Sequence, residues 1–227
     1  MCTVTYLPVR NNGFILTSSR DVPFAREQAL HPKKYNEDDV EITYPKDGRA
    51  GGTWIGTSSK KRLICLLNGG FENHYLTTDL NIKYRKSRGI IVLDLLKESE
   101  INIALTDIDL DKIEPFTLVI VDWNEGLELL ELVWDGTEKH IKRMSQENHI
   151  WSSSTLYDDE MKQLRRDWFE NWELHQKRTD ILNFHHTAGI GNESLDVLMK
   201  REKVGTVSIT QVAKIDGKIT MNYESVF

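Results

Sequence analysis

The second residue of this 227-residue chain is a cysteine. If Met1 is removed, Cys2 carries a thiol and a free α-amine on one residue. That amine has an ordinary pKa of about 7.7–8.0, so an appreciable part is neutral near neutral pH. Nucleophile and general base then stand in a fixed relation, which is the arrangement an activated nucleophile needs. An arginine beside the thiol favours the thiolate, and a carboxylate can orient the amine. Arg20-Asp21 offers both groups. The plainer reading of the same residues is a small side chain at a chain end and a surface ion pair.

The element that can bring these residues together is a hairpin. Thr3 to Leu7 and Phe14 to Thr17 are rich in β-branched and aromatic residues, and Asn11-Asn12-Gly13 lies between them. This is the strand–turn–strand signal, with Asn and Gly supplying the positive φ angles of a tight turn. It places Cys2 at the head of the first strand and Arg20-Asp21 at the end of the second, and antiparallel pairing brings those ends together.

Five segments then occur in a fixed order: MCTVTYLP at the start, LTSSRD, AGGTWIG (Ala50 to Gly56), LLNGG (Leu66 to Gly70) and KSRG (Lys86 to Gly89). In that order and spacing they resemble the NRDE, or transport and Golgi organisation 2-like, family. The family is assigned to the fold of the N-terminal nucleophile (Ntn) hydrolases. The start is similar to choloylglycine hydrolase and penicillin V acylase, which also begin Met-Cys and place an Arg and an Asp after the second strand. The resemblance implies an α+β fold, a four-layer αββα sandwich of two antiparallel sheets, over a single domain spanning 1–227. It also implies Cys2, Arg20 and Asp21 as catalytic residues. In the resembled hydrolases the neighbourhood of Asn68 faces the nucleophile, so Asn68 becomes a candidate hydrogen-bond donor there, beside its plainer role of stabilising a turn.

Composition sets outer limits. The net charge of −6 argues against a broad nucleic-acid surface. Apolar content of 39% with six Trp is enough for a substantial core. No apolar run approaches the length that spans a bilayer, and the start lacks a secretory signal pattern. The only cysteines are Cys2 and Cys65, and no disulfide is expected between them in a chain read as cytoplasmic.

Along the rest of the chain, Pro23 to Asp39 is polar and reads as a long loop. Tyr44 to Gly48 has turn chemistry. Gly51 to Gly56 opens a strand whose partner is Arg62 to Leu67. Gly51-Gly52 is no phosphate cradle, because no Lys-Ser/Thr pair or helix follows; close backbone approach beside Trp54 explains it. Tyr84 to Glu98 passes from a basic patch into a helix with Ile91, Val92, Leu95 and Leu96 on one stripe. The patch and Gly89 can hold an anion at the helix start, or form a solvated face.

Asp107, Asp109 and Asp111 imitate a calcium loop, but Lys112 and Leu118 stand where its Gly and Glu belong. Phe116–Trp123, Leu127–Trp134 and Lys139–Arg143 predict an antiparallel meander, and His149–Ser154 one further strand. Helices are predicted over Asp158–Gln176, Thr179–His185 and Asn192–Arg201. His185-His186 has no third ligand at metal spacing, and no cofactor is assigned. Thr206–Lys214 and Lys218–Glu224 predict a final hairpin around Ile215-Asp216-Gly217.

The sequence also departs from the resembled pattern. The Asn-Arg-Asp-Glu signature reads Ser19-Arg20-Asp21-Val22. Ser153 stands near where the acylases place an oxyanion-holding Asn, and Val207 replaces an expected Arg. Two functions follow. One is a cysteine amidohydrolase on linear amide C–N bonds. The other is a non-catalytic protein of haem or lipid-metabolite homeostasis, for which the resemblance implies a small apolar ligand. Either partner is a small molecule.

Overall fold

The computed structural model describes residues 2–76, 82–175 and 180–226, and of Cys2 its backbone. In chain order the elements begin with β1 (Cys2–Val9), β2 (Gly13–Pro23), β3 (Leu30–Glu37), β4 (Val40–Lys46), β5 (Ile55–Ser58) and β6 (Arg62–Asn68). Helices α1 (Arg88–Lys97) and α2 (Ile101–Asp107) follow, then β7 (Phe116–Asp122), β8 (Glu128–Trp134), β9 (Lys139–Arg143) and β10 (His149–Ser152). The chain continues through α3 (Asp159–His175), α4 (Ile181–Thr187), β11 (Val204–Ile215) and β12 (Lys218–Ser225). The class is α+β, with two antiparallel sheets.

The chain divides into two compact units, each with one sheet. Met1–Arg26 and Glu147–Phe227 form the first, Glu27–Gln146 the second. In the first unit the strand order is β10-β1-β2-β11-β12, so the first hairpin lies at the centre of a sheet finished by the last one. Asn11 and Asn12 turn the first hairpin at φ 61° and 53°, as a two-residue turn of this hand requires. Asp216 and Gly217 do the same for the last, at φ 49° and 79°. One face of the sheet gives Leu7, Ile15 and Ala213 to a core with Phe169, Trp172, Ile181, Phe184 and Val197. Phe169 and Trp172 of α3 are thus core, stacked on each other with Phe184 edge-on to both.

In the second unit the order is β3-β4-β5-β6-β7-β8-β9. β6 and β7 are buried along almost their whole length, and α1 packs on β5 and β6. Of the Gly51-Gly52 pair, Gly52 serves close approach, whereas Gly51 takes a positive φ of 71° with nothing within 4 Å of its Cβ position. A Cβ on Gly52 would stand 2.5 Å from the backbone carbon of Gly89, in the first turn of α1.

Several segments differ from the sequence reading. The loop predicted over Pro23 to Asp39 contains the edge strand β3, paired with β4. An edge strand needs no buried alternation, and β3 is mostly exposed, so its polar composition hides it. Asp38 and Asp39, at φ 51° and 62°, make the tight turn into β4, which carries on through Tyr44 and Pro45 to Lys46. The helix predicted over Asn192–Arg201 is instead a series of turns. The Asp196 carboxylate accepts the N–H groups of Ile190 (2.9 Å) and Asn192 (3.2 Å), and Asn192 Oδ1 accepts that of Ser194. Such local side-chain bonds compete with helix formation. The short α2 was not anticipated. Gln176 and Thr179, at predicted helix ends, lie outside the described residues.

Candidate active site

The site is built on β2, which pairs with β1 on one side and β11 on the other. Register sets Cys2 across from Arg20 and Thr3 across from Ser19. On the β11 side, Thr206 lies across from Asp21 and Ser208 across from Arg20, with a register shift that leaves Val207 unpaired between them. The hairpin therefore brings Cys2, Arg20 and Asp21 to one end of the sheet, as the sequence predicts. Successive strand residues point to opposite faces, so Arg20 and Asp21 do not share a face.

Asp21 is fully buried, and both carboxylate oxygens are occupied. The Tyr157 hydroxyl donates to Oδ2 at 2.5 Å and the Thr206 hydroxyl to Oδ1 at 2.6 Å. Tyr157 is set in place by a turn after β10, in which the Ser153 carbonyl accepts its N–H at 3.1 Å. Thr206 is fixed in turn by the Met199 N–H, which donates to its hydroxyl at 3.0 Å. The fully buried Arg165 guanidinium lies 3.7 Å from the centre of the Tyr157 ring, with Arg201 further off at 5.8 Å. Burial raises the Asp21 pKa above its ordinary value, and the Thr206 and Tyr157 hydrogen bonds oppose that rise. Burial and the neighbouring Asp21 charge push the Tyr157 phenol well above its usual range, so its proton stays on the donor.

The same face of the hairpin holds His185, from α4. Its Nε2 meets Thr5 Oγ1 at 2.8 Å and its Nδ1 meets Ser19 Oγ at 2.7 Å. Burial, helped by the His186 charge, depresses its pKa to about 3. The ring is therefore neutral, one nitrogen donating and the other accepting, and it ties β1 to β2 from beneath. The sequence reading considered His185 only as a metal ligand. The missed signal was the pair of hydroxyls on one face of the hairpin: Thr5 on β1 and Ser19 on β2 require a polar partner when buried. His186 faces Glu224 at 3.2 Å. Among the described residues no group of three or more His, Cys, Asp or Glu is placed to hold a metal ion.

The remaining candidates are more scattered. Asn68 ends β6 in the seven-stranded sheet of the other unit, across from Phe116. Ser153 is buried one residue beyond β10, its hydroxyl 3.1 Å from that of Thr155. Met1 lies outside the described residues. The basic patch before α1 is engaged with its own surroundings: Lys86 with Asp94 at 2.7 Å, Arg88 with Glu114 at 3.0 Å, and Arg85 with Asp109 at 2.8 Å. No helix among the described residues is long and apolar enough to cross a membrane.

Solved structures that superpose on the chain include Ntn hydrolases. The Caenorhabditis elegans N-acylethanolamine-hydrolyzing acid amidase ortholog superposes with a TM-score of 0.63 at 13% identity, covering 92% of each chain. Two variants of the conjugated bile acid hydrolase of Clostridium perfringens superpose at TM-scores of 0.53 and 0.50 with 10% identity; they cover 99% and 100% of this chain and 92% of theirs. At such identities the likeness shows the fold. No curated protein sequence matches the chain. The sequence pattern of the Transport and Golgi organisation 2 family matches residues 1–227, and the chain belongs to that family.

Proposed function

We propose that this protein is an Ntn-type cysteine amidohydrolase acting on linear amide C–N bonds, with Cys2 as nucleophile once Met1 is removed. The observation that carries this reading is the backbone register of Cys2 with Arg20, beside a buried Asp21 carboxylate held at both oxygens. The Cys2 thiolate attacks the amide carbonyl carbon. The Cys2 α-amine takes the thiol proton and passes it to the leaving nitrogen as the C–N bond breaks. Water then hydrolyses the thioester, and the thiol is restored. Arg20 favours the thiolate or a substrate carboxylate, and Asp21 orients the amine. Asn68 is assigned a hydrogen-bond-donor role on the family resemblance. The whole of 1–227 acts as one catalytic domain, in keeping with a family match of that extent. The neighbours, named for hydrolysing N-acylethanolamines and conjugated bile acids, support a small-molecule amide as substrate.

A second reading rests on Ser153 and Val207, which stand where the resemblance expects an oxyanion-holding Asn and an Arg. Losing one oxyanion donor costs about 2.7–4 kcal/mol of transition-state stabilisation. A backbone N–H can supply the donor; without one, the fold is a cytoplasmic binding protein for haem or a lipid metabolite.

Intact mass separates the two. Protein from its native host is weighed before and after treatment with a small, thiol-reactive, amide-mimicking electrophile. The hydrolase reading expects loss of Met1 and a single adduct on Cys2, diminished in Arg20→Ala; buried Cys65 serves as the internal control. Retained Met1 with an unreactive Cys2 would sink it and leave the binding reading, tested next by titration with haem.

A further inference from the structure

The face of the sheet that Arg20 occupies is distinct from the Asp21 face, and it carries an unexplained set of hydroxyls. Ser18, Ser208 and Thr210 are fully buried. None of their side-chain oxygens has a hydrogen-bond partner among the described residues. Register gathers them: Thr210 lies across from Ser18, and Ser208 across from Arg20, which is itself 4% exposed. Read across β2 and β11, one row of this face is Arg20 and Ser208, with the backbone of Cys2 in register on β1. The next is Val4, Ser18 and Thr210, and the third is Tyr6, Leu16 and Val212. Polarity is concentrated at the Cys2 end and gives way to apolar side chains along the strands.

A buried hydroxyl without a partner destabilises the fold, and native proteins seldom keep one unless a ligand, ion or ordered water takes up the bond. Three together on adjacent strands, beside a buried guanidinium, form a concentration of donors. Their complement is a group rich in acceptors and bearing negative charge, for which donors held away from water bind most strongly. We propose that Ser18, Ser208 and Thr210, with Arg20, form a subsite for an anionic oxygen group, carboxylate or phosphate, carried by the ligand close to its amide bond. Chain carbons beyond the amide then run along Tyr6, Leu16 and Val212. The proposal rests on the reading of Cys2 as the residue that meets the ligand, and it does not require turnover.

The test uses the full chain carrying Cys2→Ala, so that binding is read whether or not the native protein hydrolyses amides. Three probes share one acyl chain: N-octanoylglycine, N-octanoyl-phosphoethanolamine and uncharged N-octanoylethanolamine. Calorimetric titration is expected to show at least one anionic probe binding tenfold or more tighter than the uncharged one, and which of the two wins identifies the anion. In Ser208→Ala/Thr210→Val that preference should vanish while the unliganded variant melts no lower than its parent. Equal affinity for all three probes, or no binding by any, overturns the proposal. A variant that melts lower yet keeps the same preference also overturns it, and assigns the hydroxyls to ordered water. The mass experiment on Cys2 reports separately on the hydrolase reading.

Discussion

Replacing His185 by Gln should make the protein markedly less sensitive to acid. The wild-type ring is buried between the Thr5 and Ser19 hydroxyls, and its pKa is held at about 3 against an ordinary 6.5. Between those two values the unfolded chain takes up a proton that the folded chain refuses. Unfolding is then favoured as pH falls, so the stability from the neutral ring is complete above pH 6.5 and lost progressively toward pH 3. Two pH units inside that window correspond to about 3 kcal/mol. Asp21 acts with the opposite sign. Its raised pKa contributes stability that is present below the unfolded value and lost as pH rises through the folded one. That contribution is common to both proteins and cancels in their difference. Gln keeps a donor and an acceptor for the two hydroxyls but does not titrate. Urea unfolding followed from about pH 7 to about pH 4.5 should therefore give a stability curve that is flatter for His185→Gln by about 3 kcal/mol over the range. Altered packing shifts the absolute stability at every pH and leaves the slope unchanged. Parallel curves would refute it, because His185 would then titrate alike in both states.

Two further substitutions probe buried polar contacts in each unit. Tyr157→Phe removes the donor to Asp21 Oδ2 in a fully buried setting, and should cost about 1–3 kcal/mol by scanning calorimetry. An unchanged melting temperature would show that the Thr206 bond alone satisfies the carboxylate. Arg62→Met should cost about 3–5 kcal/mol in chemical denaturation, since it strands a buried Asp122. It also frees the Leu95 and Glu98 carbonyls at the end of α1, which Arg62 binds at 3.0 and 2.7 Å. A loss below about 1 kcal/mol would reduce the pair to the standing of a surface ion pair.

The elements legible in the sequence were those whose patterns match their surroundings. The meander β7–β8–β9 carries its turn residues between apolar runs, and both hairpins of the first unit carry Asn, Asp or Gly where φ is positive. β3 failed because an edge strand has solvent on one side and no apolar period to read. Asn192–Arg201 failed because Asn192 and Asp196 spend their side chains on nearby backbone N–H groups instead of supporting a helix.

The site divides differently. Arg20 and Asp21 are neighbours in the chain, and strand alternation assigns them to different faces. On the helix-facing side, Asp21 finds Tyr157 and Thr206, and Ser19 finds His185; no spacing in the chain announces partners so remote. On the other face, Arg20 meets the row of Ser208, with Ser18 and Thr210 beside it. A single strand thus anchors the sheet to its helices through one set of side chains and presents a polar strip through the other. The two functions are separable by substitution. Changes at Tyr157 or His185 should appear in stability, and changes at Ser208 or Thr210 in ligand preference, because the first group is fully partnered within the fold and the second is not.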